Sequence, residues 1–343
     1  MKIAICRNPK IWNHPESMLF LDNIALACEK QGVKYEYVNP YSSDILSKIR
    51  EFDAIIWFIQ NFLWADLMEA RSILNAAEQM GKKVFPNRAT NWHFDDKIAE
   101  MYAFQSIDAP IPKSNVFYSK ESALEFFKNA QFPVVAKLRC GSGANNVRLL
   151  KNYTQAKRYT KRMFGKGFNP MPSLLFKATS KAKSSHNWNT FISRLKKLPQ
   201  FLYTRSRSKL MPNEKGYVYI QEYIPDNTTD FRVKVIGDHC WAFQRKVRKN
   251  DFRASGSGDL IFDNNNIPLK MIETSFKVSK SLNLQCIAFD FIHDKRTDEY
   301  KIVEMSYGFG YDEFEAQNGY WDTSLTFHSE TFSLYDWIVE SIL

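Results

Sequence analysis

Residues 221–237 read QEYIPDNTTDFRVKVIG, followed by KVRKNDFRASG at 246–256, AFDF at 288–291 and VEMS at 303–306. The runs Tyr217–Tyr223, Phe231–Ile236, His239–Lys246, Ile287–His293 and Tyr300–Met305 have the composition of strands. A helix-length segment, Leu269–Leu282, separates the third strand from the fourth. Asp290 follows the apolar Ile287, Ala288 and Phe289, and Glu304 closes the last strand. If these strands are antiparallel neighbours, both carboxylates lie on one face. A hard cation such as Mg²⁺ takes one or two carboxylates plus substrate phosphates. Read alone, the pair also fits two acids at solvent-facing strand ends.

Working outward, residues 1–90 alternate strand and helix patterns. Lys2–Cys6, Lys34–Asn39, Ala54–Gln60 and Lys83–Asn87 are short apolar or β-rich runs. Helix-length stretches such as Glu16–Gly32 lie between them. This order predicts a small, mostly parallel sheet with helices on its faces. No glycine-rich loop follows the first strand, so a dinucleotide-type site is not expected there. Further on come a helix from Asp95 to Ile107, a strand Asn115–Tyr118, and a helix capped by Ser119 or Ser122. The runs Phe132–Leu138 and Val147–Leu150 flank a glycine-containing turn and read as a hairpin. Lys137 ends a buried run and needs an anionic partner. The turn Gly141-Ser142-Gly143 can lay backbone N–H groups against phosphate oxygens, although such a turn is also simply a turn.

The ordered motifs are similar to those of the ATP-grasp superfamily, nearest its glutathione-synthetase-like branch and the ligases that add glutamate to a ribosomal protein. The resemblance covers residues 95–150 and 216–310. It implies a fold of α/β and α+β type: a small parallel α/β domain (1–90), then a two-lobed grasp. The first lobe is 91–215, with a basic insertion at about 165–215; the second, 216–343, carries an aromatic tail. Carried over, Lys97 in DDKIAE and Lys137 in VVAKLR match the lysines that reach the nucleotide phosphates. Gly141, Ser142 and Gly143 match the phosphate loop. Gln221, Glu222 and Tyr223 match the hinge at the adenine edge, and Asp230 matches the acid on the ribose. Arg253 matches the arginine beside the transferred phosphate, and Arg232 falls on a basic position of the same pattern. Asp290, Glu304 and Ser306 match the metal-binding positions. Ser306 stands where the family usually has Asn, as does Ser255 after DFR. The implied cofactors are ATP and Mg²⁺, with Mn²⁺ as a substitute. The implied activity is an ADP-forming carboxylate–amine ligase working through an acyl phosphate. The two serines keep open an ATP-binding module with little turnover, docked on a membrane or assembly, and the branch keeps open a peptide or protein-tail ligase.

Charge is uneven. The net +10 hides sixteen Lys and Arg against one acid, Glu214, in residues 151–215; the remaining 31 basic and 36 acidic residues leave the rest at −5. Any anionic partner is therefore expected at that segment. An anionic glycan or lipid-linked acceptor and an acidic membrane surface both fit. Nucleic acid ranks last, because no recognition motif accompanies the charge. The tail motifs YGFGYDEF and GYWDTSLTFH look similar to tails of ATP-grasp proteins of bacterial surface-polysaccharide synthesis; packed aromatic core explains them equally well. The five cysteines are scattered, and the N-terminus has no apolar signal core. The expected setting is the cytoplasm, with peripheral contact at the inner membrane face left open. The resemblance leaves a homodimer open, and no interface is read from the sequence.

Overall fold

The computed structural model describes residues 1–7, 15–61, 63–141, 146–170, 211–248, 251–253, 259–311 and 313–343. Lys2–Cys6 (β1) and Ala54–Ile56 (β3) are almost wholly buried, as strands of a parallel sheet covered on both faces should be. With Lys34–Val38 (β2) and Lys83–Phe85 (β4) they form a sheet in the order β2-β1-β3-β4, all parallel. The crossovers contain Pro15–Lys30 (α1), Ile45–Lys48 (α2) and Trp64–Gln79 (α3). The strands expected at Ala54–Gln60 and Lys83–Asn87 end sooner. Pro86 has no N–H to extend the pairing, and residues 57–60 lie beyond the strand at the carboxyl end of the sheet.

Two helices lead into the second sheet. Arg88–Asn91 (α4) is capped by Asn87 and Lys97–Gln105 (α5) by Asp96, whose carboxylate accepts from the Ile98 and Ala99 N–H groups. Then come Ser114–Phe117 (β5), Lys120–Asn129 (α6), Val134–Lys137 (β6), Val147–Leu150 (β7), Tyr153–Met163 (α7) and Val218–Glu222 (β8). Of the two candidate caps for α6, Ser119 is the one used. The strands form an antiparallel sheet, β5-β8-β6-β7, containing the expected β6–β7 hairpin. On α7, Ala156, Tyr159, Thr160 and Met163 are buried, while Lys157, Arg158, Lys161 and Arg162 are exposed. This part of the basic excess is a solvated helix face. The helix expected at Phe191–Leu198 lies outside the described residues.

The third sheet is antiparallel and carries the quoted motifs. Its elements are Thr229–Ile236 (β9), His239–Lys246 (β10), Leu260–Ile261 (β11), Leu269–Ser281 (α8), Cys286–Asp294 (β12) and Glu299–Ser306 (β13). The tail adds Glu313–Ala316 (α9), Tyr320–Asp322 (β14), Phe327–His328 (β15) and Leu334–Glu340 (α10). The strand order is β13-β12-β9-β10-β14-β15, with β11 on β10. The aromatic tail thus extends the sheet and lays α10 against α1. Trp337 stacks on Phe332, centroids 4.6 Å apart, and Phe332 meets the fully buried Trp241. Each such side chain contributes about 1.5–3 kcal/mol by burial. One continuous core runs from the parallel sheet through α8 into this sheet, and a second lies under β5-β8-β6-β7. The five cysteines are all free thiols. Among the described residues, no helix is long and apolar enough to cross a membrane.

Candidate functional site

A cleft of about 630 Å³ separates the second sheet from the third, a size suited to a small-molecule ligand. One wall carries Val135, Val147 and Leu149, the other Ile292 and Val303. Between them the cleft is apolar. Polar groups gather at its edges.

Asp290 and Glu304 face each other across the β12–β13 ladder, as the sequence suggested. The register slips between Asp290 and Phe291, leaving Val303 as the extra residue of a bulge. Asp290 is buried and also stands opposite Arg232 on β9. Arg232 donates to it twice, at 2.8 and 3.1 Å, and Arg245 Nη2 approaches it at 2.8 Å. Burial alone would push the Asp290 carboxyl up, but the two guanidinium groups outweigh it and hold it well below the usual carboxylate range. Arg245 also forks onto Asp230, at 2.7 and 2.6 Å. There burial wins over Arg245, and Asp230 is raised to about 6.

Glu304 is held from the other side. Lys97, at the start of α5, lies 3.0 Å from it and donates to the Gly141 carbonyl at 2.8 Å. Burial works against the Lys97 charge, but Glu304, Glu100 and Asp95 together raise its pKa. Glu100, one turn along the helix, accepts from the Met305 N–H at 3.2 Å and is raised to about 8, chiefly by burial. Lys137 donates to the Val303 carbonyl at 2.8 Å, joining the two sheets across the cleft floor. Burial lowers it to about 8, against the pull of Glu304.

Lys137, Gln221, Glu222, Tyr223, Asp230, Arg253, Asp290 and Glu304 therefore border one cleft. Lys97 and Arg232 stand behind the two carboxylates rather than among the lining residues. Ser306 lies two residues past Glu304, opposite Ala288, and does not border the cleft. The Gly141 N–H, expected to face a phosphate, is donated to Asp95 at 2.8 Å. Ser142, Gly143 and Ser255 lie outside the described residues. Arg253 forks onto Asp251 at 2.9 and 2.6 Å and reaches the Val147 carbonyl at 3.3 Å. Sequence reasoning missed Arg245, Glu100 and Arg296. The last donates to Glu222 at 2.7 Å and fixes the end of β8. Arg245 was findable: it alternates with Trp241 and Phe243 along β10 and falls opposite Asp230.

This fold recurs in solved structures. A RimK domain protein ATP-grasp from Sphaerobacter thermophilus superposes with a TM-score of 0.52 at 14% identity, over 90% of this chain and 91% of that one. The chain has the ATP-grasp fold. A D-alanine–D-alanine ligase from Bacillus anthracis, complexed with ATP, matches at TM-score 0.53 and 11% identity, over 92% and 88% of the chains. The biotin carboxylase domain of Hydrogenobacter thermophilus 2-oxoglutarate carboxylase, in complex with MgADP, matches at 0.57 and 13%, over 99% and 69%. No protein-family model matches the sequence, and no curated protein does. The likeness is one of fold, and among the described residues the cleft chemistry is this chain's own.

Proposed function

We propose that the chain is an ATP- and magnesium-dependent carboxylate–amine ligase. The observation that carries the reading is the Asp290–Glu304 pair, set side by side on the cleft between the two sheets with Lys137 bridging them. The donor set fits magnesium: two hard carboxylates stand in register across the ladder. Magnesium characteristically keeps sites open for phosphate oxygens and water. When bound, it would neutralise charge on the phosphates. Asp290 and Glu304 would hold it.

The chain's residues then have the following tasks. Val135, Leu149, Ile292 and Val303 sandwich the base, and Gln221 to Tyr223 meet its edge. Asp230 meets the ribose. Lys137 holds the phosphates, Lys97 fixes Glu304 from behind, and Arg253 turns from Asp251 toward the transferred group. Arg232 and Arg245 fix Asp290 in place. The terminal phosphorus gains a bond to a substrate carboxylate oxygen and loses its bond to the oxygen that leaves with ADP. The amine nitrogen then bonds the acyl carbon, inorganic phosphate departs, and the amine gives up a proton. Catalysis here is positioning and charge neutralisation.

For the acceptor we propose an acidic sugar unit, as in bacterial surface-polysaccharide synthesis. The exposed lysines and arginines of α7 support an anionic partner, and the glycan rests on the resemblance of the tail motifs alone. The reading is tested by incubating the protein with Mg·ATP, hydroxylamine and pools of uronic and other carboxylic acids. Hydroxamate and ADP are expected together. Clear Mg·ATP stabilisation without hydroxamate in any pool would favour the second reading, an ATP-binding module. The two arginines that occupy Asp290 are what favours that reading.

A further inference from the structure

The parallel sheet reverses its winding between β1 and β3, since β2 lies on one side of β1 and β3 on the other. Crevices beyond the carboxyl ends of strands at such points are where open α/β sheets receive ligands. Here there is a cavity of about 20 Å³ bordered by Cys6, Arg7, Tyr41, Trp57, Gln60 and Asp66. That holds one water-sized group, which needs about 10–15 Å³. The ligase chemistry described above leaves it unused.

Its lining is complementary to a cation that carries N–H donors. Asp66 is 3% exposed; it accepts from the Gln60 N–H at 2.8 Å and from the Tyr41 hydroxyl. Among the described residues it has no ion-pair partner, and Arg7 is paired with Asp22 at 3.1 Å. Burial pushes the Asp66 carboxyl up to about 7, so it is ionised above neutral pH. Among the described residues the Gln60 side-chain oxygen is buried without a hydrogen-bond partner, a state that costs free energy unless a donor arrives. Tyr41 and Trp57 meet edge to face at 5.9 Å and supply aromatic surface. The wall is also tied to the catalytic floor. The Tyr307 hydroxyl, three residues after Glu304, donates to the Trp57 carbonyl and accepts from the Ile59 N–H, both at 2.8 Å.

We propose that this cavity is a subsite for a second, non-reacting primary ammonium group carried by the amine substrate, held by Asp66, the Gln60 amide oxygen and the aromatic wall. The proposal rests on the ligase reading. It is tested by titrating methylammonium chloride into the full chain at about pH 8, where Asp66 and methylammonium are both charged, and following Tm. Tetramethylammonium chloride and sodium chloride at equal ionic strength are the controls, and Mg·ATP is a separate arm. A saturable rise in Tm with methylammonium alone is expected, and Gln60→Leu and Asp66→Asn should lose it. If Asp66→Asn does not fold, Gln60→Leu decides. A methylammonium response no larger than the controls, or a wild-type response in Gln60→Leu, overturns the subsite. Intact Mg·ATP stabilisation beside that result leaves the ligase reading standing. A protein that ignores Mg·ATP sinks the ligase reading instead.

Discussion

Arg232 grips Asp290 from the directly opposite position on β9, Nε to Oδ1 at 2.8 Å and Nη2 to Oδ2 at 3.1 Å. With Arg245 on the same carboxylate, removing Asp290 leaves two guanidinium groups without their shared anion. Asp290→Ala should cost about 3–5 kcal/mol, the range for breaking a buried pair from one side, read from urea denaturation. An unchanged midpoint would rule out the clamp. Mg²⁺-dependent ATP binding should vanish in both Asp290→Ala and Asp290→Asn.

The same clamp sets an acid limit. Asp290 titrates below its unfolded value, which is about 3.9. Its contribution is therefore complete above that pH and is lost as pH falls through the depressed folded value. Wild type should lose stability more steeply than Asp290→Asn below about pH 4. Parallel acid limbs would contradict this.

Lys137 works in the opposite pH range. Its folded pKa is about 8, against an unfolded value of about 10.4. Between the two the unfolded chain binds a proton that the folded chain does not, so apo stability should rise with pH across that window. Its hold on phosphate should weaken over the same span, because the neutral amine attracts no anion. Calorimetric ATP affinity is expected to fall above about pH 8 in the wild type and to be weaker and flatter in Lys137→Met. A level wild-type profile would remove Lys137 from the phosphate site.

Arg296 gives a milder case. It is half exposed and joins Glu222 at 2.7 Å and Asp294 at 2.7 Å. Arg296→Ala should change stability by no more than about 1 kcal/mol while loosening the end of β8. The expected signature is weaker binding of both ATP and adenosine, with Mg²⁺ dependence unaltered. Equal affinity for adenosine in variant and wild type would free Glu222 from any part in base binding.

Tyr307 tests the join between sheets. Tyr307→Phe strips a donor from the Trp57 carbonyl and an acceptor from the Ile59 N–H, both buried. The expected loss is about 1–3 kcal/mol, measured by thermal unfolding. A neutral substitution would show that the hydroxyl ties nothing.

Much of this was legible in the chain. Strand-type composition located β8 to β10, β12 and β13, and antiparallel pairing of the last two placed Asp290 beside Glu304. Patterning does not reveal which groups a side chain meets across a sheet. Arg245 belongs to Asp290 only because β10, β9 and β12 are successive neighbours. The backbone of Gly141 was read as a phosphate cradle, yet Asp95 and Lys97 use both its N–H and its carbonyl, a pairing set by how α5 packs. The tail was opaque for another reason. Its short strands, two and three residues long, leave no period to read. Its YGFG start depends on a close approach, since a Cβ on Gly308 would lie 2.8 Å from the Phe94 ring.

The two cores meet along α5. Ile98 and Met101 belong to the core of the small sheet, Ala103 and Phe104 to the core shared by the other two. The cleft is thus a vice with two separately packed jaws, joined through α5. Lys137 on Val303 is a catch between them. Substitutions in the β5-β8-β6-β7 core should therefore change how fast nucleotide enters and leaves, whereas equally costly ones in the parallel sheet should change only how long the protein survives.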